Sequence, residues 1–85
     1  MKKFSAKIIV RMKSTVKDVK GLTLKHAVES FMPIENLSCN VGSVYWLDFD
    51  ANNEAEALHM VEKIAGELLS NDVIETYEIK ALDEV

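Results

Sequence analysis

The densest group of potential metal ligands follows the only tryptophan, where acidic and amide side chains recur at alternate positions. Asp48, Asp50 and Asn52 match the first, third and fifth ligand positions of an EF-hand calcium loop. The sixth position of that loop requires glycine and is Asn53 here, and the twelfth requires a bidentate glutamate and is His59. Because the coordination shell cannot close, we interpret the two aspartates as part of one solvated strand face.

Three further side chains could bind a metal or act as a nucleophile, namely His26, Cys39 and His59. Neither histidine has a cysteine or a second histidine within one helical turn, and we interpret both as surface or boundary residues. A single cysteine excludes a disulfide framework and a cysteine-based zinc site. The three glycines are isolated from one another, which excludes a phosphate-binding loop. The sequence therefore predicts no catalytic residue, and no metal or cofactor held by this chain.

The composition is that of a small globular domain. Its 85 residues support one domain, and 48% apolar with 28% charged residues exclude the disordered and fibrous classes. No stretch has the length of a membrane-spanning helix, and Lys7 and Arg11 interrupt the apolar run that a signal peptide would need. We therefore expect a single cytoplasmic domain over residues 1–85, with residues 82–85 as a frayed tail.

The charges are segregated along the chain. Residues 1–25 carry eight basic and one acidic side chains, whereas residues 26–85 carry two basic and thirteen acidic ones. Because the basic part begins as a predicted strand, we expect it to pair with acidic strands across a sheet. Nucleic acid is not a predicted partner, since Asp48 and Asp50 lie beside Trp46 and would repel phosphate.

Hydrophobic periodicity predicts six elements. They are a strand over residues 4–13, a helix capped by Asp18 and ending before Pro33, strands over Leu37–Val41 and Val44–Asp50, a helix capped by Asn53 that runs to Leu69, and a strand over Val73–Ala81. Gly42 and Ser43 form the predicted hairpin turn between the two middle strands. In the first helix, Leu24, Val28 and Phe31 form the predicted buried stripe.

The order β-α-β-β-α-β predicts an α+β fold, a two-layer sandwich in which two helices cover one face of a four-stranded antiparallel sheet. The other face must meet solvent or a partner. Its predicted apolar members are Ile9, Val44 and Trp46. We interpret these three residues as an interface with a partner or a second copy, because exposed apolar groups on an open sheet indicate docking.

Two stretches, Val10–Val28 and Glu67–Ile79, together resemble the signature ends of the PurS family, the small subunit of phosphoribosylformylglycinamidine synthase. The likeness covers essentially the whole chain. The residues that carry it are Lys13, Val16, Asp18, Gly21 and His26-Ala27-Val28 at the front, Gly42 in the middle, and Leu68, Leu69, Asn71, Val73, Ile74, Glu75 and Tyr77 at the back. The chain departs from the family pattern at Val19 and Asp72, where proline is usual, and at Asn40 and Ser43, where basic residues are usual.

The resemblance implies a non-catalytic subunit of an amidoligase complex in purine biosynthesis. Such a subunit is expected to form a homodimer or higher homo-oligomer and to assemble with a glutaminase subunit and a synthetase subunit. ATP and Mg²⁺ would serve the synthetase, and the small subunit would assist assembly and ammonia transfer. The alternative is a regulatory module that senses a small molecule, because βαββαβ sandwiches often bind amino acids between paired domains.

Overall fold

The computed structural model describes residues 1–85, the whole of the sequence. Its elements are β1 (Lys2–Met12), α1 (Val19–Phe31), β2 (Gly42–Ala51), α2 (Glu54–Ile64), a π-helical turn (Ala65–Leu69) that continues α2, and β3 (Glu75–Glu84). The three strands form one antiparallel sheet in the order β2-β1-β3. The sheet therefore has β1 at its centre and a free edge on each side.

The core forms on one face of β1, where the alternating apolar residues Phe4, Ala6, Ile8 and Val10 are buried. This face is called the covered face below, and the opposite one the open face. The alternation predicted from the sequence is confirmed, because successive side chains of a strand point to opposite faces.

Helix α2 packs on the covered face. Asn53 caps its first turn, with Oδ1 accepting a 2.8 Å hydrogen bond from the Glu56 N–H. Ala57, Val61 and Ala65 are buried against the sheet. The two alanines leave little side chain between helix and strands, so the backbone of α2 can approach the sheet closely.

The predicted fourth strand is absent, and the four-stranded sheet is corrected to three strands. Residues 37–41 have no regular structure, and Gly42 and Ser43 belong to β2 instead of forming a hairpin turn. The physical reason lies in the hydrogen bonds of this segment. The Val41 N–H donates 2.8 Å to the carboxylate of Asp18, not to a neighbouring strand.

The predicted covering of one sheet face by both helices is also wrong, because only α2 covers it. Helix α1 makes few contacts with the sheet, and Gly21 is its only buried residue. Leu24 and Phe31, predicted to be buried, are 49% and 87% exposed. Their spacing correctly predicted a helix, but the chain itself provides no surface that buries these two side chains.

The end of β3 differs from the predicted frayed tail. The strand runs to Glu84, and the Val85 N–H donates to the Lys3 carbonyl at 2.8 Å. A β-bulge shifts the register between Lys7 and Ile8, so that Ile79 lies opposite Ile8 and Leu82 lies opposite Ala6. The irregular spacing of these two apolar residues, three apart, hid the continuation of the strand from the period-two pattern.

The molecule is elongated for its size, with extents of 52 × 27 × 15 Å and a radius of gyration of 16.6 Å. A compact domain of this length has a radius of gyration of about 12 Å. The accessible surface is 6329 Å², whereas the size scaling gives roughly 5,100 Å² for a compact chain. The chain therefore exposes about 1,200 Å² more than a self-contained domain of its mass.

Candidate partner-binding surface

The open face brings the three predicted interface residues together. Ile9 is paired with Val44, and Lys7, two residues earlier on the same face of β1, is paired with Trp46. Ile9 is half-buried, Val44 is 41% exposed and Trp46 is 67% exposed. Their predicted placement on one open sheet face is confirmed. They form an apolar patch across β1 and β2, and its role in binding stays a prediction.

Basic residues of β1 lie close to acidic residues of both neighbouring strands. Lys3 lies opposite Asp50 across the β1–β2 ladder, and the Lys2 ammonium lies 3.5 Å from the Glu84 carboxylate. The prediction that basic β1 pairs with acidic strands is thereby confirmed. Lys3 and Asp50 lie on the open face, whereas Lys2 and Glu84 lie on the covered side of the sheet. The exposed Lys2–Glu84 ion pair contributes little stability to the fold.

A second apolar surface, missed as such in the sequence, lies along α1 and the residues that follow it. We call it the α1 apolar surface; its exposed members are Leu24, Phe31, Met32 and Ile34. Val19 and Leu22 are also exposed, on a different side of the helix. One sequence signal could have revealed it. Apolar residues continue from Phe31 past Pro33 to Ile34, beyond the predicted end of the helix, where no helical packing could bury them. Exposed apolar groups in this number indicate a surface that another polypeptide covers.

The family-motif residue Asp18 ties three parts of the chain together. Its side chain caps α1, with Oδ1 accepting from the Gly21 N–H at 2.8 Å, and Oδ2 accepts from the Val41 N–H at 2.8 Å. These two backbone donors, Val41 first, hold the pKa of the Asp18 carboxyl below its usual value. The carboxylate therefore joins the start of α1 to the start of β2.

Gly21 and Gly42 are required by close backbone contacts. A Cβ on Gly21 would lie 2.3 Å from the Cys39 carbonyl oxygen, and a Cβ on Gly42 would lie 2.5 Å from the Val10 carbonyl oxygen. Real Cβ atoms essentially never approach a backbone oxygen so closely. Both glycines thus allow the irregular connection between α1 and β2 to pass against the neighbouring backbone.

The motif residues at the back of the chain fix the turn into β3. The Lys13 N–H donates to the Ile74 carbonyl at 2.8 Å, and its ammonium donates to the Asp72 carbonyl at 2.5 Å. The Asn71 N–H donates to the Glu75 carboxylate at 2.8 Å. Because the ammonium contacts a backbone oxygen, the departure from the family's proline at position 72 leaves this contact in place.

The motif residues therefore gather at one end of the sheet in structural roles. Tyr77 follows them on β3, opposite Val10 and on the covered face. An open depression of about 300 Å³ lies beside them, lined in part by Lys17, Asp18 and Glu75. Asn40 and Ser43, where the family has basic residues, are exposed at the start of β2.

The interior offers few groups for chemistry. None of the buried residues is polar or charged, and no group of three or more histidine, cysteine or acidic side chains could hold a metal ion. None of the helices is long and apolar enough to cross a membrane. The features that point to a ligand are thus surfaces for other polypeptides, on the open face and along α1.

Comparison with known proteins gives consistent matches over the whole chain. The PurS family model, described as phosphoribosylformylglycinamidine (FGAM) synthase, matches residues 5–83. The phosphoribosylformylglycinamidine synthase subunit PurS of Thermotoga maritima is 33% identical over 81 residues, which are 93% of this chain and 96% of that protein.

Two solved structures share the fold. Thermus thermophilus PurS superposes with a TM-score of 0.82 at 28% identity, over 98% of both chains. A chain of the PurLQS structure from Thermotoga maritima superposes with a TM-score of 0.79 at 32% identity, over 100% of both chains.

Proposed function

The chain belongs to the PurS family of phosphoribosylformylglycinamidine synthase subunits, and we propose that it acts in the cytoplasm as the non-catalytic connector of that complex. In this role it binds a glutaminase subunit and an ATP- and Mg²⁺-dependent synthetase subunit of de novo purine biosynthesis. The PurLQS structure from Thermotoga maritima contains a chain with this fold, which supports assembly of this kind.

The observation that carries the proposal is the surplus of exposed apolar surface. Phe31 is 87% exposed and Trp46 is 67% exposed, on two separate surfaces. Each surface would be costly to leave in water, because apolar area gains about 25 cal/mol per Å² when it is buried. A chain with two such surfaces and no polar buried residue is suited to joining other chains, which supports a connecting role.

The chemistry of the complex gives a connector a purpose. The glutaminase subunit releases ammonia from glutamine, and the synthetase uses that ammonia as a nucleophile. Ammonia that escapes into neutral water is protonated and loses the lone pair with which it attacks. A small subunit that seals the joint between the two larger ones therefore assists ammonia transfer without supplying a catalytic group.

A homodimer or higher homo-oligomer is part of the same proposal. The surplus of about 1,200 Å² over a compact chain exceeds the roughly 800 Å² that each partner buries in a standard protein interface. The elongated shape also supports association of copies, because a radius of gyration of 16.6 Å is larger than that of a compact chain of this length.

Reconstitution tests the connector. Synthesis of formylglycinamidine ribonucleotide is measured with the two larger subunits, with and without this chain, using either glutamine or a high concentration of ammonium salt. We expect this chain to raise the glutamine-dependent rate and to leave the ammonium-dependent rate nearly unchanged, because only the first requires transfer between subunits. An equal glutamine-dependent rate without this chain would contradict the proposal.

A further inference from the structure

An open depression of about 560 Å³ lies at the end of the sheet where the chain leaves β1, and we call it the Arg11 depression. Met12 is the one apolar residue of its lining. The other lining residues all carry hydrogen-bond donors, and none is acidic; they are Arg11, Lys13, Ser14, Thr15, Asn40 and Thr76. The volume is sufficient for a small ligand, since ligand pockets measure about 300–1,000 Å³.

Most of these donors have no partner within the chain. The Arg11 guanidinium takes part in neither of the two ion pairs. The Lys13 ammonium donates to the Asp72 carbonyl, which leaves its charge without a carboxylate partner. Among the side-chain hydrogen bonds, none involves the side chains of Arg11, Ser14, Thr15, Asn40 or Thr76. A guanidinium, a carboxamide and three hydroxyls are therefore free to donate to a ligand.

The backbone that carries these donors is held in place. Arg11 lies on the central strand, opposite Thr76 of β3. The Lys13 N–H donates to the Ile74 carbonyl at 2.8 Å, and the Val16 N–H donates to the Lys13 carbonyl at 3.0 Å. The turn with the two hydroxyls is thus fixed against the sheet. A ligand would need to order side chains only, which lowers the entropic cost of binding.

The charge around the Arg11 depression is positive, although the whole chain carries a net charge of −4. Residues 11–20 hold four of the ten basic side chains and one acidic one, Asp18, whose carboxylate accepts from two backbone N–H groups. On β3, the Glu75 carboxylate accepts from a backbone N–H of the preceding turn at 2.8 Å. The Glu78 carboxylate lies 3.3 Å from the Lys80 ammonium. A concave surface with one sign of charge attracts ligands of the opposite sign.

We propose that the Arg11 depression binds the phosphate monoester of a small molecule, with the Arg11 guanidinium as its principal contact. The proposal goes beyond the proposed function, because a connector between subunits needs no small ligand. A guanidinium donates two parallel hydrogen bonds to phosphate oxygens, and the three hydroxyls supply donors for the remaining lone pairs. A carboxylate of a partner polypeptide fits less well, since its two oxygens would leave several of these donors unused.

The size of the Arg11 depression favours an ester over free phosphate. Its 560 Å³ exceed the volume of one phosphate ion several times over. The Asn40 carboxamide can both donate to and accept from a hydroxyl, so it suits the sugar-like part of a phosphorylated molecule.

Nuclear magnetic resonance titration of the full chain tests the site, with ribose 5-phosphate as the probe. Inorganic phosphate, ribose, and sodium chloride at equal ionic strength are the comparisons. We expect saturable amide shifts within residues 11–16 and at Thr76 with ribose 5-phosphate, and none that saturate with ribose or chloride. Shifts that fail to saturate, or that chloride reproduces, would overturn the phosphate site. Tighter binding of inorganic phosphate than of ribose 5-phosphate would overturn the monoester as the ligand.

Matched charge variants locate the contact. Arg11→Gln should raise the dissociation constant for ribose 5-phosphate by about tenfold or more, because a hydrogen-bonded charge is lost. Arg11→Lys should restore only part of the affinity, since an ammonium lacks the planar fork. Lys63→Gln removes the same charge from an exposed position on α2 and should leave the constant nearly unchanged. Equal losses in Lys63→Gln and Arg11→Gln would assign the effect to net charge and overturn the site.

The titration repeated with the larger subunits separates this proposal from the connector. We expect ribose 5-phosphate to bind the assembled chain as it binds the isolated one. If the larger subunits produce the shifts at residues 11–16 and abolish ribose 5-phosphate binding, a polypeptide occupies the Arg11 depression, and the small ligand is overturned while the connector stands. Saturable binding by a chain that the glutamine-dependent reaction does not require would contradict the connector and keep the phosphate site.

Discussion

Asp18 is a single carboxylate on which the geometry of α1 depends. It accepts hydrogen bonds from the backbone of Gly21 and Val41, and it thereby holds together two segments far apart in sequence. The capping role is predictable from the sequence, since aspartate before a helix is a common cap. The hydrogen bond to Val41 is not predictable from the sequence, because no local pattern indicates a contact between residues more than twenty positions apart.

The acid sensitivity of the fold should depend on Asp18. Its pKa is lowered in the folded chain from an ordinary value of 3.8, so the folded state favours the carboxylate. The stabilisation is therefore complete above that ordinary value and is lost as the pH falls through the lower folded value. Between pH 5 and pH 2, wild-type melting temperature should fall more steeply than that of Asp18→Asn. Parallel curves in thermal unfolding would contradict this.

Gly21 and Gly66 offer a matched pair of glycine substitutions. Gly21→Ala should destabilise the chain by about 1–3 kcal/mol, because its Cβ meets the fixed Cys39 carbonyl and the backbone must shift. Gly66→Ala places a Cβ at an ordinary 3.6 Å from the Tyr77 ring and should be neutral or stabilising by up to about 1 kcal/mol. Urea unfolding of both variants checks the difference, and equal destabilisation would show that the contact at Gly21 relaxes freely.

At the scale of elements, sequence periodicity succeeded where a strand or helix packs against this chain's own core. The pattern of β1, with Phe4, Ile8 and Val10 on one face, is confirmed, and so is the cap of α2 at Asn53. It failed over residues 37–41, where five residues are too few to separate a strand from an extended connection. It also failed at the end of β3, where the bulge interrupts the alternation that defines a strand.

The last residues of β3 should behave as part of the fold. Leu82 lies opposite Ala6 and packs against the core, so Leu82→Ala should destabilise the chain by about 1–2 kcal/mol, below the value for a fully buried leucine. Asp83→Ala, at an exposed neighbouring position, should change the stability by less than about 0.5 kcal/mol. Denaturant titration measures both, and a neutral Leu82→Ala would restore the interpretation of residues 82–85 as a frayed tail.

At the scale of the whole molecule, the open face was predictable from the sequence, and the α1 apolar surface was not. Trp46 and Val44 could be placed because a two-layer sandwich must leave one sheet face bare. The exposure of α1 was not predictable from the sequence. The helical spacing of apolar residues is the same whether those residues are covered by their own chain or by another. Helical periodicity specifies that a stripe is buried, and says nothing of which polypeptide buries it.

The α1 apolar surface should matter for assembly and not for folding. Phe31→Ser removes an aromatic ring that is 87% exposed, so the unfolding free energy of the isolated chain should change by less than about 0.5 kcal/mol. The same change should weaken binding to a larger subunit or to a second copy, measured by calorimetry and light scattering. Glu29→Ser, on the same helix and also exposed, serves as the matched control. Unaltered binding and mass in Phe31→Ser would show that this surface stays in solvent.

The exposed position of Trp46 has a practical consequence. As the sole indole in the chain, it makes the fluorescence excited at wavelengths that tyrosine does not absorb report on the open face alone. Fluorescence from an indole in water shifts to shorter wavelength when its surroundings become apolar. The emission wavelength, measured while the concentration of the chain is raised or while each larger subunit is added, would thus show which association covers that face.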